Sequence, residues 1–187
     1  MLEPGQIITK EQKLEFVAHW HDHFDDFCLD VFPDLFNTEF SDLHYKIMDK
    51  MIRSKKSKRL ILAPRGIGKT TLGCAYCAEN ILHRKRRFIV YVSNSLEVAE
   101  MQTENIKRSL LSSPLVHDFY GNIKDKIDKP SFADMDESFS KKAWVAFGNT
   151  LILPRGMGQQ IRGLNWNGNR PDLVFLDDAE NREELEN

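Results

Sequence analysis

Cysteine is scarce in this chain of 187 residues: there are three, Cys28, Cys74 and Cys77. Three thiols make no disulfide framework, so a core has to hold the fold. No apolar run is long enough to span a membrane. The opening MLEPGQIITKEQK lacks the apolar core of a signal peptide, so a reducing compartment is the default expectation. Charge of one sign is missing too. Lys plus Arg number 26 and Asp plus Glu 28, a net charge of -2. That balance does not announce a nucleic-acid binder, but the distribution is uneven. RSKKSKR (53–59) and HRKRR (83–87) are basic runs, and DDAENREELE (177–186) is acidic. There is no internal repeat and no low-complexity segment. What is present is an ordinary globular composition, 41% hydrophobic and 29% charged, in a length that suits one domain.

Apolar residues Leu14, Val17, Phe24, Cys28 and Val31 recur at helical spacing, which predicts one helix over 12–32, closed by Pro33. Phe40, Leu43, Ile47 and Met51 predict a second over 39–53. The short apolar run 59–64 predicts a buried strand, and 69–82 a helix after it. FIVYVS (88–93) predicts another buried strand. Asn94, with Glu97 three residues on, predicts a capped helix whose stripe is Leu96, Ala99, Thr103, Ile106 and Leu110. Residues 143–154 read as a hairpin around Gly148-Asn149. A Gly-rich loop follows, then a last buried strand at 173–176. Alternating strands and helices predict an α/β fold with a mostly parallel sheet flanked by helices.

The chemistry concentrates in LILAPRGIGKTTLG (60–73). A phosphate-binding loop follows G-x-x-x-x-G-K-[ST], and the first Gly position holds Ala63. Such a loop needs backbone N–H groups converging on phosphates at a helix N-terminus. Gly68 lets the backbone approach, Lys69 neutralises the outer phosphates, Thr70 offers a hydroxyl to Mg²⁺, and Thr71 lies near the α-phosphate. Ala63 is compatible if it keeps a negative φ. A second strand must then end in a metal-holding carboxylate, and LVFLDD supplies Asp177. Asp178 and Glu180 are the candidates to activate water.

LAPRGIGKTT followed by IRGLNWNGNRPDLVFLDDAEN resembles the large terminase subunit of tailed bacteriophages, the motor ATPase that packages DNA into proheads. The resemblance runs from Phe36 onward. It implies a P-loop NTPase fold of the RecA-like, additional-strand class, with ATP and Mg²⁺ as ligands. It implies a loop of 63–71 in which Pro64, Arg65, Gly66, Ile67, Gly68, Lys69, Thr70 and Thr71 contact nucleotide, with Arg65 acting on the γ-phosphate. In that family the first Gly of the loop is often replaced. Many terminases place Glu directly after the metal Asp, where this chain has Asp178, so the choice between Asp178 and Glu180 stays open. The resemblance also implies double-stranded DNA, a portal protein, a small terminase subunit and a homo-oligomeric ring as partners, in the host cytoplasm. It divides the chain into a helical lead-in, 1–58, and an ATPase core, 59–187. The expected sheet is incomplete at its C-terminal end, open between the strands ending at Pro64 and at Asp178. The strand that fills that gap, and the family's nuclease domain, are expected in a further part of a larger terminase.

Weaker signals have two readings each. Phe40 and His44, one helical turn apart, are an adenine clamp or a core Phe with a surface His. His19 and His23 at i, i+4 imitate a metal pair but lack a third ligand at useful spacing, which favours a solvated helix face. Cys74 and Cys77 form a lone C-x-x-C and read as buried helix cysteines. The basic runs sit at ends of elements, where they touch DNA phosphates or simply favour the helix dipole. Arg162 and Arg170 reach a neighbouring subunit's nucleotide, reach DNA, or merely belong to a loop. Two rival functions remain: a RecA-like DNA-dependent ATPase or helicase fragment, and an assembly module that holds nucleotide without turning it over.

Overall fold

The computed structural model describes residues 8–53, 58–124 and 139–178. Among these residues six helices and four strands are ordered α1 (Lys10–Asp22), α2 (Phe24–Val31), α3 (Asp42–Ile52), α4 (Lys69–Leu82), β1 (Phe88–Ser93), α5 (Leu96–Ser112), α6 (Pro114–Tyr120), β2 (Trp144–Ala146), β3 (Thr150–Gly156) and β4 (Leu173–Leu176). The sheet runs β2-β3-β1-β4. β3 and β4 both pair parallel to β1, and β2 closes the hairpin antiparallel to β3. The fold is mixed α/β, and the sheet is only partly parallel.

Every residue of β1 is buried, because both faces of that strand are covered. Ile89 and Tyr91 face the main core with the helices. Phe88, Val90 and Val92 face a second core closed by Ile161, Leu164 and Trp166. The Gly-rich loop is therefore a cover for the second sheet face. Two glycines set the helix-sheet distance. A Cβ on Gly73 of α4 would lie 2.2 Å from Phe175 Cζ, and one on Gly156 would lie 2.7 Å from the Leu96 backbone N.

Several elements depart from the sequence reading. The helix predicted over 12–32 is two helices, broken at His23 (φ -122, ψ 86). Leu14, assigned to its apolar face, is exposed. The helix predicted from residue 39 begins at Asp42, since Ser41 takes the N-cap. Asn94 is not the N-cap of α5: Ser95 is, with Oγ accepting from Val98 N, while Asn94 accepts the Ser95 N–H. α6 was not foreseen. Residues 59–64 form no strand: Leu60 and Leu62 are 84% and 81% exposed, while Ile61 and Ala63 touch the core. The segment keeps a period of two, but among the described residues no strand of the sheet pairs with it. β4 likewise is half-buried: Leu173 and Phe175 pack inward, and Val174 and Leu176 are exposed. Among the described residues it pairs on one side only, with β1.

Candidate functional site

The loop between Ala63 and α4 is shaped by two left-handed glycines, Gly66 (φ 82) and Gly68 (φ 73). Gly68 is the N-cap of α4. A side chain at either position would strain the turn. Ala63 is not among the described residues with positive φ, which is the condition for Ala to stand there. The first-turn N–H groups of α4 have no partner inside the helix and point out of its positive end, toward the loop. Lys69 folds back over this loop, its Nζ donating to the carbonyls of Ala63 and Pro64, both at 2.9 Å.

β4 delivers Asp177 to the same place. The Thr70 hydroxyl donates to Asp177 Oδ1 at 3.0 Å, joining two motifs separated by 107 positions in the chain. The Tyr91 hydroxyl, from buried β1, donates to Asp177 Oδ2 at 2.9 Å. Burial pushes the Asp177 carboxyl above its ordinary range, against the two hydrogen bonds, which lower it. Asp178 turns out to solvent in a left-handed conformation (φ 43), which Asp tolerates better than most residues. Glu180 lies outside the described residues.

Asp172 fixes the strand that carries Asp177. Its carboxylate accepts the N–H groups of Arg87 (2.9 Å) and Phe88 (3.0 Å), which sets the start of β4 beside β1. In the basic run 83–87, Arg84 lies over the Phe147 ring, Lys85 pairs with buried Glu79, and Arg86 donates to the Asp172 carbonyl. Arg84, Lys85 and Arg86 thus have partners within the fold, and the Arg87 side chain is exposed. Most of the other basic run lies outside the described residues. Arg162 and Arg170 are exposed on the cover loop.

The upstream pair is also brought to the loop. The rings of Phe40 and His44 are 5.7 Å apart. His44 Nδ1 accepts the Ser41 N–H at 2.9 Å, so its Nε2 carries the proton and donates to Ile67 O at 3.0 Å. A cavity of about 450 Å³ opens beside Thr70 and Thr71 between α4 and α5, with Phe32, Leu35, Gln102 and Asn105 in its wall. Arg65 is exposed at the loop tip.

The family description that matches this chain is the N-terminal part of the T4-like-virus-type terminase large subunit, over residues 60–186. The chain belongs to this terminase family. Neither a curated relative nor a solved structure matches it. Membership gives the terminase chain a role in DNA packaging and implies DNA among its partners. No described helix is long and apolar enough to cross a membrane.

Sequence reasoning missed Tyr91, Asp172 and the loop contact of His44. Tyr91 had no signal beyond its place in an apolar strand. Asp172 had one: an acid just ahead of a buried strand. The donor set around Asp177 fits Mg²⁺. A hydroxyl and a carboxylate are the hard oxygen ligands that this ion takes, and the carboxylate is largely buried.

Proposed function

We propose that this terminase domain binds ATP with Mg²⁺ between the loop 63–71 and Asp177, in a P-loop NTPase fold, and hydrolyses it to drive DNA packaging. The observation that carries the reading is the 3.0 Å hydrogen bond from Thr70 to Asp177. It joins a hydroxyl of the loop to the carboxylate at the end of β4.

Thr70 and Asp177 would hold Mg²⁺, with Tyr91 fixing the second carboxylate oxygen. Bound there, the ion would neutralise charge on the phosphates. Gly68 and the first turn of α4 offer N–H groups to the phosphate oxygens, and Thr71 reaches the α-phosphate. Lys69 exchanges the Ala63 and Pro64 carbonyls for the outer phosphates, a swap of neutral acceptors for charged ones. Arg65, at the exposed tip, is free to fold onto the γ-phosphate. Asp178 or Glu180 takes a proton from the water whose oxygen attacks the γ-phosphorus; the bond from that phosphorus to the β–γ bridging oxygen breaks, and ADP leaves as phosphate forms. Phe40 lies toward the base, and His44 holds the loop through Ile67 O. Double-stranded DNA, a portal, a small terminase subunit and ring neighbours would couple turnover to movement in the host cytoplasm. Arg162 is the described residue we assign to a trans or DNA contact.

Turnover in a packaging-competent assembly tests the reading. Asp178→Asn or Glu180→Gln should bind ATP and stall. Wild-type turnover in both would remove these carboxylates from the mechanism. Tight binding with no turnover in the wild type would favour a non-hydrolysing assembly module instead.

A further inference from the structure

The N-terminal helices carry a cluster that the nucleotide reading does not use. His19 and His23 share a helical face at i, i+4, and the sequence offers no third ligand while the helix is taken as continuous. In an unbroken helix Asp26 would lie seven residues, about 10.5 Å, along the axis from His19. The chain breaks instead at His23, without a Gly or Pro to cause it. The break swings the first turn of α2 back toward α1. Asp26 Oδ2 then lies 2.7 Å from His19 Nε2. The His19 and His23 rings stack with centroids 4.3 Å apart and planes inclined by 23°. One ligand atom from each of the three residues lies within 4.8 Å of the other two.

We propose that His19, His23 and Asp26 form a site for a divalent transition metal, Zn²⁺ being the ion whose chemistry fits best. Two imidazole nitrogens and one carboxylate oxygen suit Zn²⁺ and its first-row neighbours, whereas Mg²⁺ and Ca²⁺ prefer oxygen throughout. Ligand bonds of about 2.0–2.2 Å need ligand atoms somewhat nearer one another than 4.8 Å. The side chains have room to close, since His19 and Asp26 are 47% and 45% exposed. That exposure also gives the ion a path in. His23 is the N-cap of α2 without using its ring as a cap, so the ring is available. A fourth position is left to water.

The bound ion would tie α1 to α2 across the break. α1 is itself anchored to α6 through the Lys13–Asp118 pair and the edge contact of Phe16 with Phe119. Holding the break closed therefore braces α1 and α2 against α6. Without an ion, His19 and Asp26 are an exposed hydrogen-bonded pair of little energetic weight.

Metal-free chain is titrated with ZnCl₂ by calorimetry, and with Co²⁺ by visible absorption to read the coordination. The expected result is one ion per chain and a Zn²⁺-dependent rise in melting temperature. Affinity should fall at least about tenfold in His19→Ala, His23→Ala and Asp26→Asn, and stay unchanged in His21→Ala. Circular dichroism of each metal-free variant checks the fold. If His23→Ala disturbs the helix break, the exposed His19 and Asp26 substitutions decide the question. No saturable binding below millimolar Zn²⁺, or binding that survives His19→Ala and Asp26→Asn, would overturn the proposal.

Discussion

His44→Ala tests whether the lead-in helices shape the nucleotide loop. The imidazole is held in one tautomer by the Ser41 N–H on Nδ1, and spends its only N–H on Ile67 O at 3.0 Å. In a trans peptide the C=O and the next N–H point in opposite directions. Fixing Ile67 O toward His44 therefore turns the Gly68 N–H the other way. Removing the ring frees that peptide plane, while the Ser41 N–H, at an exposed residue, turns to water. One neutral hydrogen bond is worth about 0.5–1.5 kcal/mol, so the equilibrium constant for the correctly set loop should fall roughly 2- to 12-fold. Nucleotide affinity should fall by up to that factor. His44→Gln places an N–H at similar reach and should recover most of the loss. The assay is titration of ATP, GTP and inorganic tripolyphosphate with Mg²⁺, beside a melting curve. A loop effect weakens all three ligands alike. A loss confined to ATP would refute the loop argument and favour an adenine clamp. Unchanged binding in His44→Ala, or a Gln variant no better than Ala, would also refute it.

Other expectations follow from contacts elsewhere. Gly73→Ala drives a Cβ to 2.2 Å from Phe175 Cζ, an overpacking that costs about 1–3 kcal/mol, part of it regained from helix propensity. Its melting temperature should drop by several degrees, and Phe175→Leu in the same chain should restore it. A Gly73→Ala chain as stable as wild type would contradict that packing. Burial pushes the Cys74 thiol up to about 12, and Cys28 and Cys77 well above the ordinary value. The folded state therefore holds these protons through pH 8, and iodoacetamide should label the buried Cys28 and Cys77 only in denaturant and the half-buried Cys74 slowly; fast native labelling of Cys28 or Cys77 would contradict their burial. Arg65→Ala should slow hydrolysis by about 10³-fold while sparing ATP affinity, read by single-turnover kinetics beside a binding titration. An equal loss in both would make Arg65 a binding residue.

How far the sequence disclosed this structure depended on whether the deciding contact was local. α4 and β1 were legible because a Gly-Lys-Thr start and a run of β-branched and aromatic residues declare themselves. The hairpin was legible from Gly148-Asn149. α6 carried a signal that was passed over, Ser113 capping a helix with Pro114 in its first turn. The break at His23 was not legible, since no Gly or Pro marks it and its consequence, Trp20 Nε1 on Asp30 at 2.9 Å, is tertiary. Residues 59–64 misled for the opposite reason. Apolar character there forecast burial, but burial needs a neighbour, and Leu60 and Leu62 have none among the described residues. That Thr70 and Asp177 meet was readable from their motifs. Tyr91 was not, because only the register of β1 against β4, Tyr91 beside Phe175, brings its hydroxyl to Asp177.

The most direct measurement is calorimetric titration of the chain with ATP, with and without Mg²⁺, on wild type, Lys69→Ala and Asp177→Asn. If the loop and Asp177 form one site, wild type binds ATP more tightly with Mg²⁺. Lys69→Ala loses binding under both conditions, and Asp177→Asn loses the Mg²⁺ gain alone. ATP binding that is indifferent to both substitutions, or a Mg²⁺ gain that survives Asp177→Asn, would contradict the account.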